Sequence, residues 1–136
     1  MRKQFELLPD DKRFLDEYGC PWEAIQDGSP WVILHSFPTH DGYNHQAVSI
    51  AIRLDSGYPD VQLDMVYVYP FLGRKDGRLI KATDARQQID GKEWQRWSRH
   101  RTPTHPWLPG VDSLETHITC IEEWFQREFE NDFIPA

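Results

Sequence analysis

"HQAVSIAIRLDSGYPDVQLDMVYVYP", residues 45–70, decides how this chain is read. Val48, Ile50, Ile52 and Leu54 alternate with Ala47, Ser49, Ala51 and Arg53. A period of two places the first set on one face of a strand. "DSGYPD" is turn chemistry. "VQLDMVYVYP" reads as a further strand, with Leu63, Met65, Tyr67 and Tyr69 on one face and Asp64 directed off it. Upstream, "WVILHSF" (31–37) is a continuous apolar run of strand length between Gly28, Pro30 and Pro38, and "HDGYN" supplies the next turn. Short connections make these strands antiparallel neighbours in a meander.

Helices flank the meander. "LPDDKRFLDEYG" predicts a short N-terminal helix started at Pro9-Asp10-Asp11, with Phe14, Leu15 and Tyr18 as its apolar face and Gly19 and Pro21 as its stop. "PGVDSLETHITCIEEWFQREFEN" predicts a longer one of about five turns. Asp112 or Ser113 caps it, Glu115 sits in capping-box position relative to Asp112, and Leu114, Ile118, Ile121, Phe125 and Phe129 fall at helical spacing. Residues 71–93 are polar and turn-rich and read as a hairpin arm or a long loop. The outline is a single α+β domain: three or four antiparallel strands packed against a long C-terminal helix.

The chain has 136 residues, 13% aromatic and 27% charged, with six tryptophans, a globular composition sufficient for one core. Its net charge of -7 argues against nucleic acid as partner, because phosphate-backbone binding needs excess Lys and Arg. The charged N-terminus lacks the apolar run of a signal peptide, and no segment has the apolar length of a membrane span. A soluble, cytoplasmic protein is expected. Cys20 and Cys120 are the only cysteines and read as reduced packing residues. His35, His40 and His45, even with His100 and His105, fit no metal-ligand spacing, and no cofactor is implied.

Several short patterns occur in a fixed order: "LPDD" followed by "FL", "GYN" in a turn, "GYPD" running on to "DM", "WQRWSRH", and "WLPGVD" before the last helix. This order resembles the ubiquitin-conjugating enzyme (UBC) fold, and in particular the divergent prokaryotic UBC-like group E. The resemblance spans nearly the whole chain and implies a UBC-like fold. It also implies a place in a bacterial ubiquitin-like protein pathway, with a ubiquitin-like protein as partner and an activating enzyme and a metallopeptidase beside it.

The nucleophile does not carry over. No cysteine lies between Gly91 and Trp107, and counting from Gly91 puts Trp94 in the cysteine slot. No His-Pro-Asn is present; Tyr69-Pro70-Phe71 is its nearest remnant. The segment that replaces the cysteine, "WQRWSRHR" (94–101), holds a hydroxyl, Ser98, and an imidazole two residues on, His100. A serine needs a base within reach and a third group to orient that base. His100 and His117 are the two candidate bases, and Asp64 is the candidate orienting carboxylate. Trp94, Arg96, Trp97 and Arg99 are the candidate partner-binding residues, the arginines by forked hydrogen bonds to carboxylates. The expected function is serine-based acyl chemistry on the tail of the ubiquitin-like protein, by transfer or by peptidase-like processing. The alternative is a non-catalytic UBC variant that only binds a ubiquitin-like protein.

Overall fold

The computed structural model describes residues 1–130. Eight elements follow in chain order: α1 (Pro9–Tyr18), β1 (Trp22–Asp27), β2 (Ser29–Pro38), β3 (Ala47–Arg53), β4 (Val66–Tyr69), β5 (Arg86–Ile89), β6 (Lys92–Trp97) and α2 (Leu114–Arg127). The strands form one antiparallel sheet in the order β1-β2-β3-β4-β6-β5. The architecture is α+β and UBC-like, as the meander and the terminal helices led one to expect.

The sheet has six strands, not three or four. The polar turn-rich stretch supplies β5 and the start of β6, because Asp90 (φ 55°) and Gly91 (φ 75°) both take the left-handed conformation that a two-residue hairpin requires. "WQRW" is therefore strand: β6 pairs with β4 from Val66↔Trp97 to Val68↔Gln95. The missed β1 is joined to β2 by the tight turn at Gly28 (φ 70°). Its outer edge is covered by residues 2–4, where Gln4 N–H donates to Ala24 O at 2.7 Å and Ala24 N–H to Arg2 O at 3.0 Å, so it is not left open to aggregation.

Residues 61–64 do not continue β4. Met65 takes φ 60°, a left-handed kink that resets the alternation. Leu63 consequently packs with Val66 and Val68 against the helices, while Met65 and Tyr67 face the other side. The single face expected for Leu63, Met65, Tyr67 and Tyr69 is thus broken between Leu63 and Met65.

The main core lies between the sheet and the two helices. Val48, Ile50 and Ile52 of β3 meet Leu114, Ile118, Ile121 and Phe125 of α2, all at most 3% exposed. Each such side chain contributes about 1.5–3 kcal/mol. α2 is one turn shorter than expected, and its cap is Ser113, whose capping-box partner is Thr116 and not Glu115. Asp112 instead accepts from Leu108 N–H at 2.8 Å. α1 docks through Leu15 and through Tyr18, whose hydroxyl donates to Glu122 on α2 at 2.7 Å.

A second cluster, Ile25, Trp31, Ile33, Ala51, Tyr67, Ile89 and Trp94, lies on the opposite sheet face and is no more than 2% exposed. It is buried without a helix over it because the sheet curls until its two ends meet. Arg2 bridges them, bonding Glu23 of β1 at 2.9 Å and Asp90 of the β5–β6 turn at 2.6 Å. The Asp90 amide also donates to Asp27 at 2.7 Å.

Candidate functional site

Beyond β6 the backbone stays pinned. Ser98 N–H donates to Ala82 O at 2.9 Å, and Met65 N–H donates to Arg99 O at 3.1 Å. That second bond joins the kink before β4 to the end of β6 and sets Asp64 beside His100. Both Asp64 oxygens lie 2.8 Å from His100 Nδ1. A carboxylate facing Nδ1 keeps the proton there and leaves the Nε2 lone pair outward. The His100 side chain is 58% exposed, and among the described residues its Nε2 makes no hydrogen bond, to Ser98 Oγ or to any other group. Ser98, two residues back, is half-buried, and among the described residues its hydroxyl makes no hydrogen bond.

His117 is a different kind of histidine. It is 1% exposed on α2, its Nε2–H donates to Met65 O at 2.8 Å, and its ring sits edge-on to Trp124. Nδ1 is buried with no partner. Burial lowers its pKa from 6.5 to about 4, against the pull of the Met65 carbonyl. A neutral ring with one nitrogen bonded to backbone and the other enclosed does not exchange protons with a substrate. Its bond holds the carbonyl of the left-handed residue next to Asp64, so it supports the kink that presents the carboxylate.

Trp94 and Trp97 are packing residues, 2% and 0% exposed on opposite faces of β6, and neither ring is open to a partner. Trp97 Nε1–H donates to Gln95 Oε1, and Gln95 in turn bonds both Leu72 N–H and Leu72 O, which ties the loop after β4 to β6. Arg99 lies over the Trp97 ring, donates to Lys81 O at 2.9 Å and faces Glu128 at 3.7 Å. Arg96 is half-buried, with Nε enclosed and unpaired. Arg101 stacks on Trp107 and approaches Asp112 at 3.4 Å. Beside His100 a recess of about 330 Å³ is lined by Arg101, His105, Cys120, Glu123 and Arg127.

The sequence profile of prokaryotic E2 family E matches residues 7–128, most of the chain. The protein belongs to this family. No curated protein and no solved structure matches it significantly. Membership in this E2-like family points to a role in a ubiquitin-like modification pathway and to interaction with a ubiquitin-like protein.

Within this E2-like frame, the slot counted for the cysteine holds the buried Trp94. The two real cysteines are partly buried, and burial raises the pKa of both thiols, which keeps them protonated at neutral pH. No group of three or more candidate metal ligands occurs among the described residues. His40 accepts from Gly42 N–H and stacks on Phe129, away from His35. No helix among those residues is long and apolar enough to cross a membrane.

One cluster was not foreseen. His35 lies between Ser49 and Glu23, with Nδ1 2.8 Å from Ser49 Oγ and Nε2 2.8 Å from Glu23 Oε2. The three residues come from three strands. Their spacing along the chain carries no signal; only the β1-β2-β3 order and a bulge in β2 bring them together.

Proposed function

We propose that this E2-like domain takes the C-terminal acyl group of a ubiquitin-like protein onto Ser98 Oγ, with His100 as base and Asp64 as positioning residue. The observation that supports this is the contact of Asp64 with His100 Nδ1, which leaves an outward Nε2 two residues from a hydroxyl that is not otherwise engaged. In the reaction an Oγ–C bond forms and the bond from the acyl carbon to its leaving group breaks. The Oγ proton passes to His100 Nε2 and from there to the leaving group. The resulting oxyester is consumed by an amine, which is transfer, or by water, which is peptidase-like processing. An activating enzyme supplies the acyl group in the first case, and a metallopeptidase of the same pathway is a natural companion. Arg96 and Arg99, neighbours of Ser98 along the chain, are the proposed contacts for the approaching tail.

Trp94 in the cysteine slot favours a second reading, in which the domain only binds the ubiquitin-like protein. Intact-protein mass spectrometry separates the two. The domain is incubated with the ubiquitin-like protein, precursor and mature, with and without the activating enzyme. Trimming or an adduct that Ser98→Ala abolishes establishes the first reading. Binding with no mass change under any of these conditions refutes it and leaves the adaptor.

A further inference from the structure

The face of β1–β3 turned away from the helices holds, at the β2 bulge, a second hydroxyl, imidazole and carboxylate in series, independent of the Ser98 segment. Both helices pack on the opposite sheet face. His35 sits at the irregularity in β2, where pairing jumps from Leu34↔Ile50 to Phe37↔Val48 and Ser36 takes φ 56°. Such a bulge re-aims the side chains beside it. Here it turns the imidazole between its two neighbouring strands, toward Ser49 on one side and Glu23 on the other.

The hydrogen bonds fix the proton positions. Nε2 faces the Glu23 carboxylate at 2.8 Å, so Nε2 carries the proton and donates it. Nδ1 then offers its lone pair to the Ser49 hydroxyl, also at 2.8 Å. Glu23 is held in turn by Arg2, whose Nε–H donates to Oε1 at 2.9 Å. Arg2, helped by His35, holds the Glu23 pKa down at about 2, so the carboxylate stays ionised at neutral pH. The His35 side chain is 29% exposed, and Ser49 is half-buried beside it. Tyr69, directly across from Ser49 on β4, is 37% exposed and carries Lys92 over its ring at 5.2 Å. An approaching acyl group therefore meets an aromatic wall and a cation on the same patch.

We propose that Ser49 is an activated nucleophile for acyl groups carried as esters or thioesters, with His35 as its base and Glu23 as the positioning residue. Ser49 Oγ bonds to the acyl carbon and the ester or thioester bond breaks. The Oγ proton moves to His35 Nδ1 and then to the departing alkoxide or thiolate. Water reverses the sequence and releases the acid. The amides of β2 and β3 are largely committed to the sheet ladder, so the expected behaviour is stoichiometric acylation with slow release.

The full chain is treated with p-nitrophenyl acetate and, separately, with an alkyl fluorophosphonate, and the modified residue is located by peptide mass spectrometry. The expected result is an adduct at Ser49, whether or not Ser98 is labelled as well, and it is retained in Ser98→Ala. Its rate of formation falls about a hundredfold in His35→Gln, the usual contribution of a general base. Glu23→Gln lowers the rate by a smaller factor. The native chain is also compared with the same chain unfolded in urea, which needs no variant; labelling at Ser49 is expected only in the native chain. Absence of label at Ser49, equal labelling in urea, or an unchanged rate in folded His35→Gln overturns the proposal. None of these outcomes bears on Ser98, whose test uses the ubiquitin-like protein.

Discussion

Acidification to pH 4 is a direct probe of His117 and of the assignment of His100 as base. The folded chain holds the His117 pKa at about 4, against 6.5 for the free side chain, chiefly because burial disfavours the charged ring. Unfolded chains therefore bind an extra proton between those values. Stability from this group is complete above the unfolded pKa and is lost as pH falls toward the folded one. Two and a half units at about 1.4 kcal/mol each give about 3 kcal/mol lost by pH 4. Other groups titrate in the same range. Asp11, whose pKa is raised by burial, acts with the opposite sign. Comparison with His117→Gln, whose amide can still donate to Met65 O but cannot titrate, removes these shared contributions. Urea unfolding of both proteins at several pH values should show the wild-type advantage shrinking by about 3 kcal/mol from pH 7 to pH 4. Parallel stability curves would refute the reasoning and would return His117 to the list of candidate bases.

Asp64→Asn should leave stability within about 1 kcal/mol, since the partner ring is exposed. The same change should slow adduct formation at Ser98 at least about tenfold by releasing the tautomer of His100, as read by time-resolved mass spectrometry beside a urea melt. Tyr58→Phe should cost about 1.5–3 kcal/mol in urea unfolding. The Tyr58 hydroxyl donates to the buried Asp11 carboxylate and accepts from Leu114 N–H, both at 2.7 Å, joining α1 to the start of α2. A loss under about 0.5 kcal/mol would mean that this junction relaxes without it.

The parts of the fold that sequence made legible are those set by local periodicity. Val48, Ile50 and Ile52 alternate and are buried on one face, and the Leu114–Phe125 stripe turns as a helix. What escaped depends on distant partners. Trp22–Asp27 is short and shows no clean alternation, yet it is a strand because the Gly28 turn folds it onto β2 and Arg2 ties it to Asp90. The hairpin arm offered for residues 71–93 exists around Asp90-Gly91, but the polar residues there gave no sign that its second strand runs on to Trp97. The kink at Met65 has no local signature. Its amide bonds Arg99 O and its carbonyl accepts from His117, contacts from two later elements. At the site, Asp64 was named as the carboxylate that would orient a histidine, and it does meet His100, but through the kink at Met65 and not through the strand alternation that suggested it. The burial of Trp94 and Trp97 was not readable, because aromatic residues beside arginines suit a core and a docking surface equally well.

In the proposed reaction an oxygen replaces the missing sulfur of the conjugating enzyme. The most direct measurement exchanges that atom. Ser98→Cys and the wild-type domain are charged in parallel with the activating enzyme and the mature ubiquitin-like protein, and the adducts are challenged with dithiothreitol and with mild alkali. The expected result is a wild-type adduct that resists dithiothreitol and is cleaved by alkali, and a Ser98→Cys adduct that dithiothreitol releases. An adduct whose linkage is the same in both proteins, or none in either, would contradict it.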